Sequence, residues 1–329
     1  MLPPVLEAAL IQAGVVVILC VGFTFTYMTE KFPNFAHTAI ATIGTIIAFT
    51  CVTVLGWSPY MALPVSALAC GGIGVLLYLF IVSPLRRTGA HVITLTFAFF
   101  AVAEVIGSLV SMYSYWYLQA MRRPTAGFQL SRFDFSFLGY PGVFWASAVA
   151  DTALFIFLYL FLNRSRHGIA LRAVAEDEPL ASSLGINTYR IHFISWFMTG
   201  SLAGLAGGII PLWTYTGLGY SDAFLITVMS GCVVGGLNNV AGAVVGGFLV
   251  ATSQKFLNAV YIALFGVSGG NYEPLYPMIF IVAVLMLEPE GIMGIFENGG
   301  AKLRRLRNRL IPKKLTAERD VKARIPDDV

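Results

Sequence analysis

Runs of mainly apolar residues, each about as long as a helix needs to cross a hydrocarbon layer, recur along almost the whole chain and leave too little polar surface to cover a globule. A bilayer core about 30 Å thick takes about 20 residues of helix. The sequence offers such stretches at 5–27, 34–56, 59–83, 91–115, 141–162, 191–213, 221–237, 240–265 and 275–288. Charged residues make up 12% of the 329 positions, against about 25% in soluble domains, and the mean hydropathy is +0.77. The expectation is an all-α polytopic transmembrane helical bundle of about eight to ten spans, over residues 1–296, followed by a basic tail over 297–329. The runs at 34–56 and 221–265 are interrupted by Gly, Thr and Asn. Broken or re-entrant helices are expected there, because unwound backbone at membrane depth must line a cavity or be buried in protein.

Basic residues set the expected orientation in a cell membrane. The first is Lys31, so the leading apolar run lacks the charged start of a signal peptide and is read as a span. Arg86 and Arg87, then Arg164, Arg166, Arg172 and Arg190, and ten of the 21 Lys and Arg residues in the tail, fall on one side of a nine-span arrangement. That side is expected to be cytoplasmic, with the N-terminus outside. Segment 116–139 carries Arg122, Arg123 and Arg132 to the other side, but Asp134 and the aromatic cluster Tyr113, Tyr115, Trp116 and Tyr117 suit an interfacial cap. The tail, AKLRRLRNRLIPKKL, reads as a topology determinant beside anionic lipid rather than as a nucleic-acid arm.

Thirty-three glycines in so apolar a chain need a reason, since each weakens a helix by about 1 kcal/mol relative to Ala. Gly200, Gly204 and Gly208 form consecutive small-xxx-small steps, and the pairs Gly231 with Gly235 and Gly242 with Gly246 repeat them. Such surfaces let backbones approach closely where lipid supplies little hydrophobic drive. The spacing fits a bundle core and a subunit interface equally well.

Several chemistries lack their residues. No Gly-Lys dipeptide occurs, so there is no P-loop. Gly266, Ser268 and Gly270 match GxSxG without the strand and helix that motif needs. His37, His91, His167 and His192 form no HExxH pair, and Cys20, Cys51, Cys70 and Cys232 lie in apolar runs without ligand spacing. Glu104 and Asp151, near mid-span, are candidates either for function or for interhelical bonding. Lys255, about 22 Å along its span, is expected to snorkel outward.

The polar island at 163–190 holds seven charged residues between long apolar flanks. Its first part places Ile169, Ala173 and Val174 on one side of a helix, with Arg172 and Glu176 at i,i+4. In the second, Asp177 or Glu178 can cap a helix with Pro179 in its first turn, Leu180 and Leu184 one turn apart and Gly185 as the left-handed stop before Ile186. A short helix with an apolar knob suits a groove on another protein. It also suits the membrane surface.

The segment GIALRAVAEDEPLASSLGINTYRIHFISWFMTGSLAGLAGGI resembles the cytoplasmic loop and following span of permease subunits of branched-chain amino acid ABC transporters. NFAHTAIATIG at 34–44, VSPLRR at 82–87, GGLNNVAGAVVGGFLV at 235–250 and EPEGIMG at 288–294 continue the likeness in order, and the first two look more like the first of the two permease types. Thr38, Asn238, Asn239 and Glu288 depart from the usual pattern. The resemblance implies an importer with two permease subunits, two ATPase subunits that carry ATP and Mg, and an external substrate-binding protein. The chain itself would bind no cofactor. The coupling element it implies runs from Arg172 to Ile186, with Leu180, Ala181 and Leu184 in the ATPase groove and Glu176, Asp177 and Glu178 at its rim. For the substrate pathway the broken segments are singled out: Asn34, Phe35, His37 and Thr38, then Thr94 and Thr96, then Gly235, Gly236 and Asn238, with Glu104 and Asp151 beside them. A standalone ion-coupled carrier using Glu104 and Asp151, and a related permease for urea, amides or sugars, are the competing readings.

Overall fold

A computed structural model describes residues 3–122, 127–217, 220–266, 273–287 and 291–294. The basic tail, Ser268, Arg123 and Glu288 to Glu290 lie outside the described residues. The elements run α1 (Pro4–Glu30), α2 (His37–Thr53), α3 (Pro59–Leu77), α4 (Ser83–Arg87), α5 (Val92–Met121), α6 (Gly142–Arg164), α7 (Arg166–Glu176), α8 (Glu178–Ser183), α9 (Thr188–Trp213), α10 (Tyr220–Gly235), α11 (Val240–Phe265) and α12 (Leu275–Leu287). A π-helical turn at Tyr78–Val82 joins α3 to α4, giving one continuous 29-residue span. Among the described residues, seven helices are long and apolar enough to cross a membrane. The apolar helices α2 and α10, with 17 and 16 residues, fall short. Both lie in the runs where the sequence predicts interruption.

The cause of one interruption is visible. Beyond Glu30 the chain turns back beside α1, and the first residue of α2, His37, sits with its Nε2 3.0 Å from the Leu19 carbonyl. That level is 11 residues, about 16 Å, above the end of α1. The re-entering backbone is buried, and Asn34 satisfies part of it by accepting from the Ala36 amide at 3.1 Å. The other break, between α10 and α11, turns at Gly236 and restarts at Asn239, whose side chain accepts from the Ala241 and Gly242 amides.

The core forms around α1, which is buried on nearly all sides. It packs between α9 and α11, while α9 is sandwiched by α2 and α3, and α10 fills the space beside α11. α5 and α6 lie at the periphery. Between α5 and α6 the described residues form short pairings: β1 (Gly127–Phe128) pairs antiparallel with β4 (Thr216–Gly217), and β2 (Ser136–Phe137) with β3 (Tyr140–Pro141). Asp134 ties this segment to α3 and α6 by accepting from Tyr60 OH and from the Val143 amide.

The glycine stripes resolve into contacts inside the chain. A Cβ on Gly204 would lie 2.3 Å from the Ser66 carbonyl oxygen, and one on Gly207 only 1.9 Å from that of Ala41. Gly231 and Gly235 meet Gly247 and Gly242 across the α10–α11 contact in the same way. At this range hydroxyls reach across to neighbouring backbones: Thr45 Oγ1 donates to the Gly207 carbonyl at 2.7 Å, and Thr199 Oγ1 to that of Gly22 at 3.0 Å. The cysteine thiols do likewise, Cys70 to Ile40 and Cys20 to Val228.

Gly207→Ala should destabilise the chain by about 1–3 kcal/mol through overpacking, whereas Gly72→Ala, with nothing within 4 Å of the added carbon, should be neutral or gain up to about 1 kcal/mol of helix propensity. Thermal unfolding of both variants in one detergent compares them directly; equal melting temperatures would refute the close approach.

Candidate functional site

At the end of the bundle where α1 stops, four ionisable side chains from four separate segments converge. The Glu30 side chain is fully enclosed, and a carboxylate removed from water is tolerated only when paired and hydrogen-bonded. Its Oε1 accepts from Trp196 Nε1 at 2.9 Å and lies 2.8 Å from His192 Nδ1. Its Oε2 sits 2.9 Å from Arg86 Nε, an ion-pair contact without the alignment of a hydrogen bond. Arg86 Nη1 continues to both oxygens of Glu178, at 3.2 and 3.0 Å, and His192 Nε2 reaches Glu178 Oε1 at 2.8 Å. Both ring nitrogens of His192 thus face carboxylates, and Arg86 Nη1 also lies 3.2 Å from Nε2.

Local structure explains the convergence. Glu30 ends α1, where Lys31 takes a left-handed conformation, φ 60°. The π turn buries Tyr78, which stacks on the His192 ring with centroids 5.8 Å apart and planes 14° from parallel. A π turn adds a residue to the helical repeat, and Arg86 in the helix beyond it meets Glu30. His192 lies in the second turn of α9. Glu178 is the first residue of α8 and is the only member of the cluster outside the membrane-type helices. Hydrogen bonding from His192, helped by its charge and that of Arg86, holds the Glu178 carboxyl at about 2, well below its ordinary 4.5, against the opposing effect of partial burial.

The island forms two short helices. Ser165 caps α7, accepting from the Gly168 amide at 2.9 Å, and Asp177 caps α8, accepting from the Leu180 amide at 2.9 Å. Pro179 lies in the first turn of α8, and Gly185, φ 84°, ends it. Leu180 and Leu184 stand 57% and 74% exposed, with no partner to cover them among the described residues. Ala181, by contrast, is 2% exposed and faces the chain's own core. The expected face of α7 is rotated: Leu171, Val174 and Ala175 are buried and Ile169 is exposed. No ion pair joins Arg172 to Glu176 among the described residues. Arg172 instead lines a groove against α6 and the turn before α11, while Ile186 is half-buried and Glu176 and Asp177 face outward.

The residues singled out for a pathway do not gather in one place. Asn34, His37 and Thr38 are buried within the chain, serving the re-entrant turn, and Phe35 meets the ring of Phe100. Gly235 and Gly236 are buried at the α10–α11 turn, where Gly235 packs on Gly242; Asn238 is exposed there and accepts from Lys31 Nζ at 3.4 Å. Asp151 packs over Gly14 of α1, and its Oδ1 is buried without a partner. Thr94 and Glu104, however, both lie on the exposed face of α5, with Thr96 at its edge. Lys255 pairs with Glu273, in the turn before α12, at 2.6 Å, beside a cavity of about 240 Å³ that Gln12, Thr227 and Gln254 also line.

Sequence reasoning did not bring Glu30, Arg86 and His192 together, since they lie up to 162 positions apart. Their one legible signal is that each is an ionisable group at the edge of an apolar run.

The model of the family described as branched-chain amino acid transport system, permease component, matches residues 5–288. The probable branched-chain amino acid transport permease protein LivH of Methanocaldococcus jannaschii is 32% identical over 88% of this chain and 92% of its own. The high-affinity branched-chain amino acid transport system permease protein BraD of Pseudomonas aeruginosa is 24% identical over 84% of this chain and 91% of its own. The corresponding LivH of Escherichia coli K12 is 23% identical over 84% and 90%.

Arg86→Met should cost about 3 kcal/mol or more by leaving the Glu30 carboxylate uncompensated, with the double variant Arg86→Met, Glu30→Leu recovering much of the loss in thermal unfolding. Because the folded-state value of Glu178 is depressed, its contribution is fully present above about pH 4.5 and lost as pH falls through about 2. The melting temperature of the wild type relative to Glu178→Gln should therefore hold a constant lead near neutrality and lose it on acidification toward pH 2; a lead unchanged by acid would exclude the pairing.

Proposed function

The chain belongs to the family of branched-chain amino acid transport permeases, and from that premise we propose that it is the membrane-spanning subunit of an ATP-driven importer. In this reading it passes branched-chain or related hydrophobic amino acids, handed over by an external binding protein, across the cell membrane. The chain is a multi-pass membrane permease, not an enzyme. Its proposed partners are two ATPase subunits, which carry the ATP and Mg, and a second permease subunit. The α7–α8 loop and the basic tail are assigned to the cytoplasmic side.

The observation that carries the coupling role is the construction of α8. Its apolar knob, Leu180 and Leu184, projects from the chain, while its first residue is held to the ends of α1, α4 and α9 through Glu178. A helix free at its tip and fixed at its root is suited to pass a displacement on. In the proposed cycle, ATP-driven approach of the two ATPases draws the paired α8 helices together and shifts the outward and inward populations. Leu180 and Leu184 insert in the ATPase groove, with Glu176, Asp177 and Pro179 at its rim and Gly185 and Ile186 closing the turn.

The exposed face of α5 supports a pathway between two permease subunits. Thr94, Ala101, Glu104, Ser108 and Ser111 follow one another at helical spacing on that face. Glu104 lies about 18 Å from the start of the helix, deep in the span. An ionised side chain at that depth costs about 2.5–3.5 kcal/mol facing hydrocarbon, so a wet passage or a partner on this face is the economical arrangement. Weak, mainly apolar contacts along it suit a solute that has to leave as readily as it enters.

The double substitution Leu180→Asp, Leu184→Asp should leave the fold unchanged, since both side chains are exposed, and lower ATPase co-purification and ATP-dependent uptake by about thirtyfold or more, as loss of a buried anchor does. Wild-type uptake by that variant would refute the coupling role. Glu104→Gln should depress uptake without affecting ATPase co-purification; the reverse pattern would remove α5 from the pathway.

A further inference from the structure

The groove that Arg172 lines belongs neither to the charge cluster nor to the exposed face of α5. It has a volume of about 460 Å³ and runs between the last turns of α6, the side of α7 and the turn leading into α11. At one end stand Arg172, Asn163 and Asn238; at the other stand Phe155, Tyr159 and Val244. From these features we infer that the groove holds one anionic phospholipid, its phosphate at Arg172 and its upper acyl chain along α6.

Charge points to an anion. Among the described residues Arg172 has no acidic partner and no carboxylate lines the groove, and Lys31 stands at its rim through its 3.4 Å contact with Asn238. A guanidinium and nearby amides are good donors to phosphate oxygens. The apolar end then separates an amphiphile from a soluble anion. Phe155 is 50% and Tyr159 62% exposed, so this wall is continuous with the open apolar side of α6, and a free phosphate would make no use of it. Depth agrees as well. The 23 residues of α6 span about 34 Å, and the polar helix α7 begins two residues after its end. The groove therefore straddles the boundary where a lipid changes from hydrocarbon to headgroup, and where aromatic side chains and basic pockets between helices are at home. The argument needs only that the chain spans a bilayer, not that it transports amino acids.

The test is a titration of the purified full-length chain with dioctanoyl phosphatidylglycerol, read as a shift in melting temperature and as bound lipid by native mass spectrometry. Dioctanoyl phosphatidylcholine and inorganic phosphate serve as comparison probes. The anionic lipid should stabilise the wild type at lower concentration than either. Arg172→Gln should weaken its binding by about tenfold, the loss of one charge-assisted contact. Arg172→Lys should restore part of it, and Arg166→Gln, which removes an equal charge one element-end away, should leave it unchanged. Equal weakening by Arg166→Gln would overturn the site in favour of diffuse surface charge. Equal protection by inorganic phosphate would make it a soluble-anion site. Displacement of the lipid by the nucleotide-binding subunits would make it a protein contact.

Discussion

A carboxylate with no access to water organises one end of this molecule. Glu30 is enclosed on every side, and the cost of leaving such a charge unpaired exceeds that of most single packing defects. Its compensation comes from three directions: Arg86 beyond the π turn, and His192 and Trp196 from α9. Because Arg86 and His192 each reach past Glu30 to Glu178, the same cluster makes α8 continuous with three apolar helices. Replacing the cluster by apolar side chains could give an equally stable bundle, but it would leave α8 attached only through its backbone connections and the packing of Ala181. The polar solution is the one that links the loop to the spans.

Elsewhere the bundle is held by approach rather than by charge. Lipid tails are as apolar as Leu, so helices associate through close contact and interhelical hydrogen bonds. Small residues on α9 admit the α2 and α3 backbones so near that Thr45 reaches the Gly207 carbonyl, and between α2 and α3 Ser66 and Cys70 reach the Gly44 and Ile40 carbonyls. The Thr and Ser residues of the core are therefore mostly structural. Asn34, His37 and Thr38 are likewise buried, at the re-entrant turn.

The legible part of the fold was what depends on local pattern. All nine apolar runs correspond to helices within a few residues, the two short ones in the runs read as broken, and the Asp177 cap, Pro179 and Gly185 of α8 stand as their residue types require. What local pattern left open was settled by distant partners. The wheel of α7 offers two apolar stripes, one through Ile169 and Ala173 and one through Leu171, Val174 and Ala175, and packing against α6, α1 and α9 selects the second. Glycine spacing could not tell a core from an interface until α3 was seen against α9. Glu30 and His192 carry no mutual spacing at all, since their proximity is a property of the finished bundle. Ala181 shows the finest limit: its neighbours Leu180 and Leu184 point out, while its own side chain is turned in.

The central position of α1 sets a problem of timing during synthesis. This helix leaves the ribosome before every neighbour that will enclose it, and α9 begins 158 residues after it ends. At about 5–20 residues per second, that is a wait of roughly 10 to 30 s before His192 is made, and for about the first third of it Arg86 is missing as well. A nascent chain in that condition needs its carboxylate kept at the headgroup level, or sheltered by the insertion machinery, until the later spans arrive. Assembly of this permease is thus governed by the order in which its parts are made as well as by the contacts they finally share.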